Sequence, residues 1–320
     1  MNEFDANTTA DEVLADKDLA GRTVFITGGY SGLGKETARA MADRGAHIII
    51  AGRDAKKLGE TQAALADETG ATVETLECDL ASLQSVRKAA EEANDRFEKI
   101  DLLINNAGVM ACDFAQTEDG FERQFGVNHL GHFVLTNRLM PLLKKGERVR
   151  IVNLSSRGHH IAPVDFDDPN FENREYDKWR SYGQSKTANV LFAVALDKRL
   201  SGRGIHAYAL HPGGIQTNLG RHLSEQDTAD LMERIRKNAE ASGEQPQGFK
   251  TIPQGAATTC WVATTPELEG TGGLYCEDCH VADQDDESTT GGVRSYAIDP
   301  DKAERLWALS EKMVGERFAY

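Results

Sequence analysis

Short apolar runs alternate with stretches of helical period along most of the chain. The runs are rich in Val, Ile, Leu and Thr, a composition that predicts strands. They cover residues 23–27, 47–51, 72–77, 102–104, 149–154 and 205–210. Two of them, HIIIA and RIVNL, are apolar for most of their length, as strands are when helices cover both faces of a sheet.

Between these runs, apolar residues recur three or four positions apart, which predicts amphipathic helices. The predicted helices are one that begins near Gly34 and those at 55–66, 83–97, 121–143, 185–200 and 300–315. Strands that alternate with helices in this way indicate repeated βαβ units. The pattern therefore predicts an α/β fold with a doubly wound parallel sheet.

The domain organisation follows from where this alternation begins and ends. We expect one domain over residues 21–299, preceded by an N-terminal arm at 1–20 that packs loosely. Residues 300–320 are expected to form a C-terminal helix and tail of the same domain. A charged insertion at 218–250 interrupts the alternation, and long connections of this kind are usually functional. We interpret it as a small helical lid over the substrate.

The amino-acid composition and net charge limit which kinds of molecule the protein is expected to bind. The chain has 320 residues, of which 36 are basic and 51 acidic, for a formal net charge of −15. A nucleic-acid partner is not expected, because phosphate binding needs a basic face. No run approaches the roughly 18 apolar residues of a membrane span, and the acidic N-terminus does not resemble a signal peptide. We therefore expect a cytoplasmic protein with no membrane span.

Cysteine and histidine patterns do not indicate a metal centre. The five cysteines are an odd number, which favours reduced thiols. Cys276, Cys279 and His280 form a C-x-x-C-H pattern, similar to a haem attachment or to half of a zinc site, but nothing supplies the other half. The histidines at positions 129, 132, 159, 160, 206, 211 and 222 form no H-E-x-x-H motif, so we interpret them as structural or lid residues. We expect no bound metal.

A glycine-rich loop follows the first predicted strand, with the sequence Thr27-Gly-Gly-Tyr-Ser-Gly-Leu-Gly34. Such a loop lets backbone N–H groups approach a pyrophosphate, and the following helix N-terminus adds partial positive charge. The spacing is not G-x-G-x-x-G. It satisfies most of a nucleoside-triphosphate P-loop, but Glu36 stands where the magnesium-binding Ser or Thr is required. The triphosphatase interpretation is therefore excluded.

Later motifs follow in an order that resembles the short-chain dehydrogenase/reductase family. After T-G-x-x-x-G-x-G come Asp79-Leu80, Asn105-Asn106-Ala107-Gly108, Asn128, Ser155-Ser156, Tyr182-x-x-x-Lys186 and Pro212-Gly213-x-x-x-Thr217. The resemblance implies a Rossmann fold. The long spacer at 157–181 is similar to that of the retinol-dehydrogenase and WW-domain-oxidoreductase branch, whose members often take hydrophobic carbonyls. The membrane anchor and WW modules of that branch are not found in this sequence.

The candidate catalytic residues also make chemical sense by themselves. Tyr182 and Lys186 are four positions apart on a predicted helix and so share one face. An ammonium beside a phenol favours the phenolate, so we expect the pKa of Tyr182 to be lowered towards neutrality. Ser156 ends a strand at the sheet edge that binds ligands, whereas Ser155 is expected to point to the opposite side. The resemblance implies that Ser156, Tyr182, Lys186 and Asn128 are catalytic, with Asn128 holding a water that links Lys186 to solvent.

The end of the second predicted strand indicates which cofactor is bound. Family members that use NAD carry an acid where Gly52 stands, whereas Arg53 offers a planar cation suited to the 2′-phosphate of NADP(H). Asp54 is expected to cap the next helix. NADP(H) is thus expected, with NAD as the alternative. The resemblance implies contacts to the cofactor from Gly28, Tyr30, Ser31, Gly32, Leu33, Gly34, Arg53, Asp79, Leu80, Asn106, Ala107, Gly108, Tyr182, Lys186, Pro212, Gly213, Ile215 and Thr217.

These expectations define a function and its competitors. The resemblance implies an NADP(H)-dependent oxidoreductase that interconverts a ketone or aldehyde, of hydrophobic character, with the corresponding alcohol. A non-catalytic NADP-binding sensor or scaffold is the alternative, but such a protein is expected to have lost part of the Asn-Ser-Tyr-Lys set. An epimerase or dehydratase of the extended relatives would carry G-x-x-G-x-x-G, which is absent. The partner is a small molecule, and the oligomer is left open between a homodimer and a homotetramer.

Overall fold

A computed structural model describes residues 4–242 and 248–320. Its strands are β1 Thr23–Thr27, β2 His47–Gly52, β3 Val73–Glu77, β4 Leu102–Asn105, β5 Val149–Leu154, β6 Ile205–His211, β7 Leu274–Glu277 and β8 His280–Val281. They form one sheet in the order β3-β2-β1-β4-β5-β6-β7-β8. Neighbouring strands from β3 to β7 are parallel, and β8 is antiparallel to β7. The predicted doubly wound parallel sheet is confirmed.

Helices cover both faces of this sheet. The α-helices of the described residues are α1 Ala10–Val13, α2 Gly32–Ala42, α3 Ala55–Thr69, α4 Leu83–Arg96, α5 Arg123–Phe125, α6 Gly131–Arg138, α7 Met140–Leu143, α8 Lys178–Leu200, α9 Glu225–Ser242, α10 Ile252–Thr264, α11 Ser295–Ile298 and α12 Pro300–Val314. A π-helical turn, Gly126–Leu130, lies between α5 and α6.

Two hydrophobic cores flank the sheet because successive side chains of each strand point to opposite faces. On β1, Phe25 joins the core that contains α4, α6, α8 and α12. Its neighbour Ile26 joins the core that contains α1, α2, α3 and α10. Full burial of each such side chain contributes about 1.5–3 kcal/mol.

The strand order places a ligand crevice at one point of the sheet. β1 pairs with β2 on one side and with β4 on the other. The direction in which strands are added reverses there, and open α/β sheets bind ligands outside the carboxyl ends of their strands at such a switch point. The glycine-rich loop after β1 and the segment after β4 both lie at this edge.

Two predicted helices differ from the observed ones, and the observed helix α10 was not predicted. The predicted helix at 121–143 is interrupted by the π-helical turn and again before α7, where Pro141 lies in the first turn and lacks a backbone N–H. α8 begins at Lys178 rather than at 185, because the Asp177 side chain caps it by accepting from the N–H groups of Trp179 and Arg180. α10 was not predicted, since it is apolar nearly all round and shows no amphipathic period.

The N-terminal arm packs tightly. Ala10, Val13 and Leu14 are buried in the core beside α2 and α10. Thr9 and Glu12 form a reciprocal capping box at the start of α1. The expectation of loose packing is therefore wrong for residues 4–20, and residues 1–3 lie outside the described part.

The described part of the insertion at 218–250 is mostly helical, as predicted. A 3₁₀ turn, Asn218–His222, is followed by α9. Residues 243–247 of the predicted lid lie outside the described residues, and the ordering of this segment by substrate stays a prediction. No helix in the described ranges is both long and apolar enough to cross a membrane.

Candidate active site

Glycines shape the loop between β1 and α2. Gly28 and Gly32 have φ angles of +68° and +52°, a conformation that side chains disfavour. A Cβ at Gly34 would lie 2.5 Å from Asn106 Nδ2 and 2.6 Å from the Gly28 carbonyl oxygen. Ser31 precedes α2 and makes no side-chain cap, so the first N–H groups of α2 keep their capacity to bind an anion.

The segment 106–109 after β4 forms the second wall of the crevice and is held at both ends. At one end, the Thr27 hydroxyl oxygen accepts from the N–H groups of Asn106, at 2.9 Å, and Ala107, at 3.0 Å. At the other end, the Asn128 side chain accepts from Val109 N–H at 2.8 Å and donates to Val109 C=O at 2.9 Å. The segment is therefore fixed relative to β1.

The loop after β6 forms the third wall. A Cβ at Gly32 would lie 3.6 Å from the Thr217 side chain, so the glycine-rich loop faces that loop. Leu33 and Ile215 both pack over Gly255 of α10, where a Cβ would lie 2.7 Å from each. The crevice thus brings together the predicted cofactor residues of 28–34, 106–108 and 212–217. Its glycine-lined cradle and helix N-terminus fit a dinucleotide.

Two predicted cofactor residues have other contacts in the structure. The Asp79 carboxylate accepts from Ala81 N–H at 2.9 Å, and its own N–H donates to Ser85 Oγ at 3.0 Å. Leu80 is 7% exposed and belongs to the core. A cofactor contact from either residue stays a prediction.

Packing at the end of β2 leaves no room for an acidic side chain at Gly52. A Cβ at Gly52 would lie 2.2 Å from Cε1 of the Tyr30 ring, which fills the space that an acidic side chain would need. Asp54 accepts from Lys57 N–H at 3.1 Å, which confirms that it caps α3. Arg53 is exposed. Burial and the positive charges of Arg221, Arg123 and Arg53 lower the pKa of His222, which Asp113 opposes, so Arg53 lies within electrostatic range of the 3₁₀ turn Asn218–His222.

Tyr182 and Lys186 lie on α8, buried at the carboxyl end of β5. Each is 4% exposed, and Lys186 Nζ lies 5.7 Å from the centre of the Tyr182 ring. Lys186 Nζ also donates to Leu154 C=O at 3.0 Å. Burial lowers the pKa of Lys186 to about 8.

The expectation of an acidic Tyr182 is wrong. Burial raises its pKa to about 12, and a hydrogen bond with Ser156 opposes this rise without overcoming it. Desolvation disfavours both charged groups, the phenolate of Tyr182 and the ammonium of Lys186, so it raises the pKa of the first and lowers the pKa of the second. Tyr182 is therefore a neutral phenol at pH 7.

The two serines after β5 have different contacts. Ser156 bonds to Tyr182 and also accepts from Gly158 N–H at 2.9 Å. Ser155 donates to Lys186 C=O at 2.9 Å and so lies against the backbone of α8. Gly158 permits the close approach of this turn to α8, since a Cβ there would lie 2.6 Å from Cε1 of Tyr182.

Asn128 is oriented by the π-helical turn, a feature that often marks functional sites. Its Nδ2 also donates to Ser185 Oγ at 2.9 Å, and Ser185 donates to Tyr182 C=O at 2.8 Å. Sequence reasoning missed Ser185 and the role of Thr27, because neither residue type at these positions differs from an ordinary helix or strand residue.

The described residues contain no cluster of side chains that could bind a metal ion. All five cysteines are buried and none forms a disulfide. Cys276 lies on β7 and Cys279 in the tight turn between β7 and β8, and both pack in the core. Within residues 4–242 and 248–320, no three His, Cys, Asp or Glu side chains are grouped as metal ligands would be.

A doubly wound sheet with its crevice at the switch point is typical of dinucleotide-binding proteins. Comparison with protein families makes the class specific. The family model described as "short chain dehydrogenase" matches residues 22–228. The chain belongs to the short-chain dehydrogenase/reductase family and is therefore an oxidoreductase of a family that uses nicotinamide cofactors.

Curated relatives resemble the chain over nearly its whole length. "Short-chain dehydrogenase/reductase prx1" of Penicillium roqueforti is 39% identical over 321 residues, which cover 97% of this chain and 91% of the relative. Human "Retinol dehydrogenase 14" is 40% identical over 311 residues, covering 93% of this chain and 87% of the relative. The predicted resemblance to the retinol-dehydrogenase branch is confirmed.

Solved structures share the fold. An uncharacterized protein from Mycobacterium Paratuberculosis is 36% identical, with a TM-score of 0.72, and the match covers 98% of this chain and all of that one. Pseudomonas aeruginosa RhlG, solved with NADP, has a TM-score of 0.62 at 24% identity, covering 81% of this chain and 95% of that one. The second match supports the fold alone.

Proposed function

We propose that the protein is an NADP(H)-dependent oxidoreductase that interconverts a ketone or aldehyde with its alcohol. The observation that carries this proposal is the buried group of Ser156, Tyr182 and Lys186 beside the segment 106–109. A Cβ at Gly108 would lie 3.7 Å from Lys186 Nζ, so the ammonium borders the crevice that fits a dinucleotide. A nicotinamide bound there supplies or accepts the hydride.

Tyr182 is the general acid of carbonyl reduction. Because burial keeps its pKa near 12, the hydroxyl is protonated at pH 7 and can donate to the carbonyl oxygen. Ser156 lies beside Tyr182, and when its hydroxyl turns from Tyr182 to the substrate it donates a second hydrogen bond to the same oxygen. Lys186, with a pKa of about 8, is mostly protonated at pH 7, and its ammonium stabilises the phenolate that forms as the proton leaves. In alcohol oxidation the same groups act in reverse.

Asn128 links two parts of the proposed site by hydrogen bonds. Its side-chain oxygen and nitrogen are engaged by Val109 and Ser185, so it couples the crevice wall to the helix that carries Tyr182. That it also holds a water for a proton relay from Lys186 stays a prediction.

NADP(H) is the proposed cofactor rather than NAD. Family members that use NAD carry an acid at the position of Gly52, one residue before Arg53. In this structure the Tyr30 ring occupies the space that such an acid would need. Arg53, Arg123 and Arg221 all lie within electrostatic range of His222, together with the single carboxylate of Asp113, which supports a net positive charge on this side of the crevice.

Arg53→Leu is expected to raise the KM for NADPH by about ten- to a hundred-fold and to leave the KM for NADH almost unchanged. A charge-assisted hydrogen bond to the 2′-phosphate is worth about 1.5–3 kcal/mol, and NADH has no such phosphate. Lys56→Leu is the matched control, since Lys56 is an exposed cation of α3 whose ion-pair partner is Glu60. If the parent turns over faster with NADH than with NADPH at equal concentration, the cofactor assignment is wrong.

The proposed substrate is hydrophobic. Phe249 and Ile161 are large apolar side chains, 41% and 36% exposed, and both lie near the site. Phe249 is 3.7 Å from the Cβ position of Gly214, and Ile161 packs on Gly183, the residue after Tyr182. Relatives named retinol dehydrogenase support a hydrophobic alcohol or carbonyl.

A homologous series of straight-chain aldehydes tests this substrate class. Each buried CH₂ is worth about 0.8 kcal/mol, so kcat/KM is expected to rise by up to about fourfold per added carbon until the cleft is filled. Phe249→Ser is expected to reduce that increase, whereas Val281→Ser, an equally exposed change on β8, is the control. A kcat/KM that falls with chain length would contradict the proposal.

A further inference from the structure

His132 is a buried histidine of α6 that makes two hydrogen bonds beside the candidate active site. It is 2% exposed. Its Nδ1 lies 3.0 Å from the Asn128 carbonyl oxygen, one turn earlier. Its Nε2 lies 2.8 Å from Thr27 Oγ1 at the end of β1. The ring therefore joins the π-helical turn to the strand that leads into the glycine-rich loop.

The hydrogen bonds of Thr27 fix the tautomer of this ring. A hydroxyl has two acceptor lone pairs and one proton. The N–H groups of Asn106 and Ala107 can only donate, and the Asn106 N–H is shared between Thr27 Oγ1, at 2.9 Å, and Ile104 C=O, at 3.0 Å. Both N–H groups are thus directed at the lone pairs of Thr27 Oγ1. The hydroxyl proton must then go to His132 Nε2, at 2.8 Å, in preference to Ile104 C=O, at 3.5 Å.

The second nitrogen of His132 is assigned in the same way. A carbonyl oxygen can only accept, so Nδ1 carries the proton and donates it to Asn128 C=O. One tautomer, neutral and protonated at Nδ1, satisfies both bonds. A proton added at Nε2 would place a third donor on Thr27. Burial also lowers the pKa of His132, to about 4, in keeping with a neutral ring.

These bonds close a ring around the segment 106–109. Thr27 holds the segment at Asn106 and Ala107, and Asn128 holds it at Val109. His132 connects the two anchors to each other. Gly108 lies in the middle of the held segment, next to Lys186 Nζ.

We propose that His132 is a positioning residue that locks the segment 106–109 and Asn128 in register with β1, and so sets cofactor affinity and the place of Lys186. The inference rests on the proposed function of the same site. It gives His132 a more specific role than the structural or lid residue expected from the sequence. Loss of one such hydrogen bond changes an equilibrium by about two- to ten-fold, and His132 makes two.

His129 provides a matched control. It lies in the π-helical turn, three residues before His132, and is fully buried among Phe125, Phe133 and Phe192. Its Nε2 bonds to Ser310 Oγ of α12, at 2.7 Å, and not to the segment 106–109. His129→Leu therefore disturbs the packing of this turn without opening the ring of hydrogen bonds.

The experiment compares His132→Leu with His129→Leu by calorimetric titration of NADPH, by amide hydrogen exchange and by steady-state kinetics. His132→Leu is expected to weaken NADPH binding by about ten-fold, to speed exchange of the 106–109 amides by a similar factor, and to lower kcat. His129→Leu is expected to keep NADPH affinity and this exchange within about two-fold of the parent. Equal values in the two variants would overturn the proposal.

A double-mutant cycle tests the route through Thr27. Thr27→Val removes the hydroxyl and Thr27→Ser keeps it, so the serine variant is expected to behave like the parent. Combining Thr27→Val with His132→Leu is expected to weaken NADPH binding no further than the more damaging single change, because both break the same ring. Effects that multiply would contradict the coupling.

His132→Asn keeps the test decisive if the leucine variant does not fold. Its amide nitrogen replaces Nδ1 and still donates to Asn128 C=O, while Thr27 loses its acceptor. Exchange is expected to speed up at Asn106 and Ala107 but not at Val109, and unchanged exchange at all three would overturn the proposal. These readouts do not depend on turnover, so retained activity in Tyr182→Phe would refute the proposed function without deciding the role of His132.

Discussion

Tyr182→Phe is expected to lower kcat by about a hundred- to ten-thousand-fold, the usual contribution of a general acid. Only the hydroxyl and its bond to Ser156 are lost. The ring keeps its packing against Gly158, so the affinity for NADPH is expected to stay close to that of the parent. Steady-state kinetics and a cofactor titration on the same preparation measure both quantities.

Tyr208→Phe is the control for loss of a buried hydroxyl. Tyr208 is fully buried in the opposite core, and its Oη donates to backbone carbonyls of Leu268 and Thr271. This change is expected to cost about 1 kcal/mol of stability and to leave kcat unchanged. If Tyr182→Phe keeps more than about a tenth of the parent kcat, Tyr182 is not the general acid.

Lys186→Met is expected to lower kcat by at least about a hundred-fold and yet to make the protein more stable at pH 7. The pKa of Lys186 falls from its ordinary value of 10.5 to about 8 because burial penalises the ammonium. That difference corresponds to about 3 kcal/mol at pH 7. Loss of the charged hydrogen bond to Leu154 C=O offsets about half of it, so a gain of about 1.5 kcal/mol remains.

This gain is expected to disappear as the pH rises. Below pH 8 the folded and the unfolded chain both carry a protonated Lys186, so folding bears the full cost of burying the charge. Between pH 8 and 10.5 the folded protein releases the proton first, and the free energy of unfolding of the parent rises with pH relative to the variant. Urea unfolding from pH 7 to 10 measures the difference, and a difference that does not change with pH would contradict the origin assigned to it.

The sequence predicted the parts of the fold that repeat a simple pattern. Runs such as HIIIA are apolar on both faces, and β2 extends only one residue beyond the predicted strand, to Gly52. Glycine positions were informative because local geometry requires them. Gly28 has a left-handed φ, and Gly34 approaches Asn106 too closely for a side chain. The order of motifs then indicated which crevice these elements form.

Features that depend on tertiary contacts could not be predicted. β7 and β8 are short strands, joined by a turn in which Asp278 and Cys279 have positive φ. This turn contains no glycine or asparagine, the residues that would have predicted it from the sequence. The π-helical turn at Asn128 has the same local composition as a regular helix. The pKa of Tyr182 was predicted in the wrong direction because spacing shows that Lys186 is near but not how deeply both groups are buried.

The hydride itself gives the most direct test of the proposed function. NADPH carrying deuterium at nicotinamide C4 is incubated with the protein and a panel of aldehydes, ketones, quinones and steroids, and the products are analysed by mass spectrometry. An NADP(H)-dependent carbonyl reductase transfers the label to the former carbonyl carbon of at least one product, and Tyr182→Phe abolishes the transfer. Binding of NADPH with no label in any product would contradict the proposal and identify a non-catalytic NADP-binding protein.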